Sequence, residues 1–474
     1  MILSVDLGTS KICAVLVDTG TARPLAIRSI ANDADIPGLP VDMHEQDPLR
    51  IRELAFEVMK QVLMDERATG QIVDAIGISG QMHGVLLVNN DLKPLTNLIT
   101  WRDRRTARED TPGSLIESLE KLGTDREHAV GCRLATGYGA ASLIWLQRNR
   151  LIPDNCTALS IAGFVAASLT GIPSIDDTHA ASWGIYALRT NKWDDESVNR
   201  LGLNKNILPD IRPSCKPLGE LSIDAANLPG INNRPVVCSP VGDAQASFIG
   251  SVGFSTDTLV VNIGTGAQIL IPSPECVYGE ELDAWPLPLG GFLQVGATFC
   301  GGWAYAYLKD LFKTIAYEIC GMEISDEEVY ERMNSLAASA PPGANGLIID
   351  TRFSGTRKNK SITGSIAGIN AANLTPANLS LALLEGLVRD LYSIYCSSTP
   401  PRPRNLFASG NAVRKNRVLR SIIQRTFYLD SFASSVPEEA ARGAAYAAAV
   451  GADIISRDKI TQSIQQIVDE RNFE

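Results

Sequence analysis

The chain has 474 residues, 45% hydrophobic and 20% charged, which excludes disorder and exceeds the roughly 250–300 residues that one core can serve. A net charge of −10 without any Lys/Arg run argues against a nucleic-acid-binding protein, and no apolar run approaches the ~20 residues that span a bilayer. Nine cysteines without C-x-x-C spacing, and an N-terminus lacking the charged and apolar regions of a signal peptide, lead us to expect reduced thiols in a cytoplasmic protein with no membrane partner.

In chain order, β-branched residues over 2–5 lead into Asp6-Leu7-Gly8-Thr9-Ser10 and then a second strand over 12–17, which reads as a hairpin. Apolar residues at helical spacing (Ile51, Leu54, Ala55, Val58, Val62) predict a helix over 49–64. A short strand over 73–79 ends in Gly80-Gln81-Met82-His83-Gly84, and another over 235–238 leads to Val241-Gly242-Asp243. A second hairpin is expected over 259–271 around Gly264-Thr265-Gly266. A strand over 405–408 runs into Ser409-Gly410-Asn411 and a helix reaching about residue 425, and Pro437-Glu438-Glu439 is expected to cap an Ala-rich helix over 440–450. Such alternation indicates α/β layering. Two hairpins half a chain apart suggest one fold used twice, so we expect domains at 1–250 and 251–474, dividing near Ser251-Val252-Gly253.

Gly8 permits a tight turn whose exposed N–H groups form an anion-binding concavity, and Asp6 at the strand end is placed to hold a hydrated Mg²⁺. An ordinary β-turn would use the same residues, and the second copy at Gly264-Thr265-Gly266 tips the reading toward phosphate. Neither a P-loop nor a G-x-G-x-x-G fingerprint occurs. Asp243, after a strand and a glycine, either offers its carboxylate to a cleft or caps the segment that begins at Ala244.

Together the two Gly-Thr turns resemble the phosphate loops of the actin-like ATPase superfamily. Gly80-Gln81-Met82-His83-Gly84, Trp101-Arg102-Asp103 and Gly242-Asp243 narrow the resemblance, almost end to end, to the FGGY carbohydrate kinases. The stretches Ala135-Thr136-Gly137-Tyr138-Gly139, Ala180-Ala181-Ser182-Trp183-Gly184 and Ser409-Gly410-Asn411-Ala412 are similar to sedoheptulose-phosphorylating members of that family. The resemblance implies two actin-like (ribonuclease H-like) ATPase domains flanking a deep catalytic cleft, with ATP and Mg²⁺ as cofactors. It further implies phosphorylation of the terminal primary hydroxyl of a small-molecule ketose, sedoheptulose first and xylulose or ribulose next. Asp243 would be the catalytic base, and Gln81, Met82, His83, Trp101, Asp103 and Tyr138 would join it around the sugar. Gly8, Thr9, Ser10, Lys11, Gly264, Thr265, Gly266, Gly302, Ser409, Gly410, Asn411 and Asn416 would hold the nucleotide, and Asp6 the Mg²⁺ through water.

Gly443-Ala444-Ala445 would allow close approach of the nucleotide or of another helix, and Arg104 and Arg105 are expected on a solvated face. Three departures from the family pattern stand out. Cys13 replaces a usual Lys or Arg, with Lys11 expected to point to the opposite face of the strand. Ala244 takes the place of an amide after the base, and Arg102 that of a usual Gln. An actin-like nucleotide switch would share both phosphate loops without needing His83, Trp101, Asp103 and Asp243, and a sugar sensor would keep binding without turnover. Nothing in the sequence argues for an oligomer.

Overall fold

Two hairpins seed two sheets. The computed structural model describes residues 1–469 apart from 69, 223–227, 229–230, 232, 280, 299, 354, 356–360, 399–401 and 434–436. In the first sheet β1 (Ile2–Leu7) pairs antiparallel with β2 (Lys11–Val17), which pairs antiparallel with β3 (Pro24–Ala31). On its other side β1 pairs parallel with β4 (Ala75–Gly80). Beyond it come β5 (Pro217–Glu220), β6 (Val236–Cys238) and the short β7 (Val241–Gly242), in the order β5-β6-β4-β1-β2-β3 with β7 also on β4. The second sheet contains β8 (Thr258–Ile263), β9 (Ala267–Ser273), β10 (Asp283–Pro286), β11 (Phe292–Thr298), β12 (Asn405–Ser409) and β13 (Asp430–Ala433), ordered β10-β11-β9-β8-β12-β13. The strand senses repeat: β8 is antiparallel to β9 and parallel to β12, as β1 is to β2 and β4. The expected duplication is therefore present as topology.

Strand alternation decides where Asp6 points. Leu3, Val5 and Leu7 face one way into a core with Ile51, Val58 and Val62 of α1 (Pro48–Leu63), whose start is capped by the Asp47 carboxylate. Ile2, Ser4 and Asp6 face the other way, and Ser4 Oγ donates to the Ala441 carbonyl at 2.7 Å. Asp6, near the strand end, runs past this packing and is only partly buried.

Six further helices matter for the site: α2 (Asp177–Ser182), α3 (Asp243–Val252), α4 (Gly302–Cys320), α5 (Pro376–Ser397), α6 (Arg417–Phe427) and α7 (Glu439–Gly451). The expected helix up to residue 425 is broken at Asn416, with a short helix Asn411–Lys415 before it. α3 and α7 pack on each other between the sheets, α7 against β1 and β4, α3 against β8 and β12. A Cβ on Gly443 would lie 1.7 Å from the Ala246 carbonyl, and one on Gly250 1.9 Å from the Glu439 carbonyl. The small residues on α7 thus serve helix packing. No helix among the described residues is long and apolar enough to cross a membrane, and all nine cysteines are free thiols.

Gly443→Val should force the two helices apart and destabilise the protein by about 1–3 kcal/mol or more. Gly279→Ala, where an added Cβ meets nothing within 4 Å, should change stability by less than about 0.5 kcal/mol. Urea unfolding of the two variants checks the contrast.

Candidate active site

Asp6 and Asp243 leave the same end of the same sheet. Asp6 is level with Ser79 on β4, Gly242 is level with Gly80 on the same strand, and Asp243 follows as the first residue of α3. With β1 and β7 both neighbours of β4, the two chain ends lie two strand spacings apart, about 10 Å. The Ser79 hydroxyl donates to Asp6 Oδ1 at 2.7 Å and steadies it. Gly8 is required here, because a Cβ would sit 2.6 Å from the Lys11 carbonyl inside the turn.

The residues expected around the sugar are tied to this turn. Trp101 Nε1 donates to Thr9 Oγ1 at 2.9 Å, and Thr9 Oγ1 donates to Gln81 Oε1 at 3.0 Å. Gln81 Nε2 donates to Gln46 Oε1 at 2.8 Å, and Gln46 Nε2 returns to the Thr9 carbonyl at 2.9 Å. Gln81 is 2% exposed and Met82 7%, whereas Trp101 is half-exposed. His83 adopts a left-handed backbone (φ 72°), a strained state for a non-glycine residue. It is held there by Ser182, whose Oγ accepts from His83 N at 2.9 Å and whose carbonyl lies 2.8 Å from His83 Nδ1. The His83 ring stacks on Tyr138 (centroids 4.2 Å) and meets the edge of Trp285 on β10 (5.8 Å), so the second sheet contributes to this wall.

Asp103 is 1% exposed and accepts from the backbone of His44 and from Arg105 N, Nε and Nη2, so its carboxylate is engaged inside the protein. The expectation of a solvated Arg105 is corrected. It is 4% exposed, bridges Asp103 and Glu45 (Nη2–Oε1 2.5 Å) and lies over the Trp145 ring, because two carboxylates repay its burial.

The second turn follows β8, and Ser409 on β12 pairs with Asn262, so Gly264-Thr265-Gly266 and Ser409-Gly410-Asn411 sit side by side at one sheet end. Gly302 N donates to the Gly264 carbonyl at 2.8 Å, and Trp303 N to that of Thr265 at 3.2 Å, seating the turn on the start of α4. Asn416 is buried as the cap of α6, accepting from Leu419 N and donating to Asn334 Oδ1. The two sheets' loops meet at the start of α7. Lys11 Nζ contacts Glu438 Oε1 at 2.6 Å, and Arg414 Nη1 contacts Glu439 Oε1 at 2.8 Å.

Glu438 also corrects the expectation for Lys11. Residues 11 and 13 are two apart on β2 and share a face, and Glu438 acts on both the Lys11 ammonium and the Cys13 thiol. Burial and the charges of Glu438 and Asp6 push that thiol well above its usual range. Asp6 is pushed up to about 7, first by desolvation, then by Asp243 and Glu438, against the Ser79 hydrogen bond and Lys11. Asp243 is pushed up to about 6 by desolvation, held back by the charge of His179 and the Ala244 N–H. A cluster of carboxylates short of positive charge, with hard oxygen donors, fits a hydrated Mg²⁺ bound mainly through water and phosphate. No group of three metal-ligating side chains occurs among the described residues, so a protein-only cage is not what is on offer.

Sequence reasoning missed Gln46, Glu438, Trp285 and the Asp176–His179 pair. The clearest signal was the acidic run Asp176-Asp177 directly before Thr178-His179, just ahead of the stretch at 180–184 that was noted.

Residues 1–250 match the N-terminal domain and residues 259–452 the C-terminal domain of the FGGY family of carbohydrate kinases. The chain is 27% identical to the sedoheptulokinase of Mus musculus over 90% of its own length and 92% of the relative's. Among solved structures it superposes on ligand-bound xylulose kinase from Lactobacillus acidophilus with a TM-score of 0.83 at 21% identity, covering 98% of this chain and 92% of the other. Plasmodium falciparum glycerol kinase with ADP gives 0.83 at 20% identity with the same coverage, and the α/β fold with two mixed, actin-like sheets is common to all three chains. With both halves matched and the paired turns in place, the chain belongs to the FGGY family of carbohydrate kinases.

Proposed function

We propose that this carbohydrate kinase transfers the γ-phosphate of ATP to the terminal primary hydroxyl of a ketose, with sedoheptulose as substrate. The observation that carries the reading is the shared exit of Asp6 and Asp243 from one sheet end, beside a phosphate turn hydrogen-bonded to Trp101 and Gln81. Likeness to a sedoheptulokinase over most of both chains supports the sugar, and likeness to an ADP-bound kinase supports the nucleotide. The xylulose kinase likeness favours a pentulose as the second reading. In this reading residues 1–250 bind mainly sugar and 251–474 mainly nucleotide, in a reducing cytosol that suits nine free thiols.

Asp243 takes the proton of the attacking hydroxyl, which its ionised carboxylate does best above its raised pKa. His83, Tyr138 and Trp101 wall the sugar and orient that hydroxyl. The N–H groups around Gly8-Thr9 and Gly264-Thr265 hold the phosphates, Ser409-Gly410-Asn411 lies where the adenosine would pass, and Asp6 would hold a hydrated Mg²⁺, which neutralises phosphate charge when bound. Asp103, turned inward, shapes the loop that presents Trp101.

With Mg-ATP and a panel of sedoheptulose, D-xylulose, D-ribulose and glycerol, ADP release should be most efficient with sedoheptulose. An advantage of at least about 10–200-fold, the discrimination that one carbon supplies, is expected over a ketose two carbons shorter. Glycerol as the best acceptor would end the ketose assignment. Asp243→Asn should lower kcat by about 10²–10⁴ while sugar binding, followed by calorimetry, persists. Because Asp243 must be ionised, kcat/KM should fall on acidification through about pH 6, roughly tenfold per unit below it. A profile flat down to pH 5 would show that another group accepts the proton. Thr9→Val and Trp101→Phe each break the link between turn and sugar wall. Their effects on kcat/KM should be non-additive, with a coupling of about 1 kcal/mol in a double-mutant cycle.

A further inference from the structure

Of the four histidines only His179 is fully buried, at 0% exposure, on a helix that is not itself among the sugar or nucleotide residues. Its Nδ1 lies 2.6 Å from Asp176 Oδ2 and its Nε2 3.3 Å from the Gly80 carbonyl oxygen. Gly80 offers only a carbonyl, so Nε2 donates there, while Nδ1 shares a proton with Asp176 Oδ2; Asp176 Oδ1 is occupied in accepting from Thr178 N, Thr178 Oγ1 and His179 N. With the shared proton on Nδ1, both ring nitrogens carry hydrogen and the ring is an imidazolium.

The same helix start grips the strand that carries the base. Thr178 Oγ1, its proton spent on Asp176, accepts from Gly242 N at 2.8 Å. A continuous set of bonds thus runs from Gly242, the residue before Asp243, through Thr178, Asp176 and His179 to Gly80, the residue before Gln81. At the helix's other end Ser182 holds His83, and Trp183 Nε1 donates to the Gly84 carbonyl at 3.3 Å. Helix capping explains Asp176 and Thr178. It does not explain a histidine whose second nitrogen reaches a different strand.

We propose that the Asp176–His179 pair is a positioning element for phosphoryl transfer, in which a buried imidazolium serves as the fixed counter-charge of Asp243 and fastens the base and the sugar-binding loop to one short helix. This rests on Asp243 being the base. The charged groups around the pair are Asp176 and Asp177 at the helix start and Asp243 on α3, with Asp6 beyond Asp243. The arrangement is consistent in direction: Asp176 and Asp243 raise the imidazole pKa against burial, and His179 lowers that of Asp243.

Removing the positive charge should raise the Asp243 pKa further. In His179→Gln and in Asp176→Asn, the acidic limb of kcat/KM, measured with Mg-ATP and whichever of sedoheptulose or D-xylulose is turned over faster, should move up by about one pH unit. KM for ATP should stay within about twofold, a split that a merely loosened fold would not give. A second measurement needs no variant. In the ¹⁵N-histidine-labelled wild-type protein without ligand, at about pH 8, one ring, that of His179, should show both nitrogens protonated. Four neutral rings, or a His179→Gln limb that superimposes on the wild type's while Asp243→Asn is inactive, would overturn the pairing. Full turnover in Asp243→Asn would instead place the fault in the choice of base.

Discussion

The close crossing of α3 and α7 is the constraint on which the rest of the molecule depends. Gly250 and Gly443 let two helices meet backbone to backbone, with no room for a methyl group on either side. One helix begins with Asp243 and the other is capped by Glu438, so fixing the crossing fixes where both acidic groups emerge. Each helix also lies on a different sheet, which makes the pair the joint between the halves. The positions of the proposed sugar wall and nucleotide segment relative to Asp243 follow from this joint, because Lys11 and Arg414 reach it from opposite sheets.

The charge distribution around the joint is unbalanced. Among the described residues Asp6 feels the charges of Asp243 and Glu438, opposed by Lys11, and Asp243 feels that of the buried ring of His179. Lys11 is half-exposed and screened by water, whereas His179 has no solvent contact and acts at low dielectric. The buried charge is therefore the stronger influence on Asp243 of the two. A carboxylate held near neutrality can both remain ionised in the cell and accept a proton during transfer, a balance that a fully exposed aspartate, with its lower pKa, would not strike.

Much of this was legible in the sequence where local chemistry dictates local shape. The Gly-Thr turns, the hairpins and the helix at residue 49 need only the right residues in a short window, and each lies within a residue or two of its expected span. The placement of Asp243 after a strand and a glycine was readable for the same reason. What was not legible depends on partners distant in the chain. Arg105 reads as a surface charge until Glu45 is brought to it, and the acidic run before His179 gains its meaning only when Gly80 reaches His179 from 99 residues away and Gly242 reaches Thr178 from 64. Lys11 and Cys13 were misread for a simpler reason: residues two apart on a strand share a face, and the acidic group between them comes from residue 438.

The two sides of the site also differ in how they can recognise a ligand. Around the second turn, Thr265 and Gly266 are exposed, and in the proposed reading the recognition elements are backbone N–H groups, which suit any polyphosphate and ask little of sequence beyond glycine. On the proposed sugar side Gln81, Met82 and Tyr138 are buried, Trp101 and Gln81 are linked through Thr9 and Gln46, and His83 is held by Ser182. A wall of this kind cannot adjust one residue without disturbing the next, so a change of sugar requires coordinated substitutions. Relatives at 20–27% identity to this chain accordingly carry the names of kinases for different acceptors.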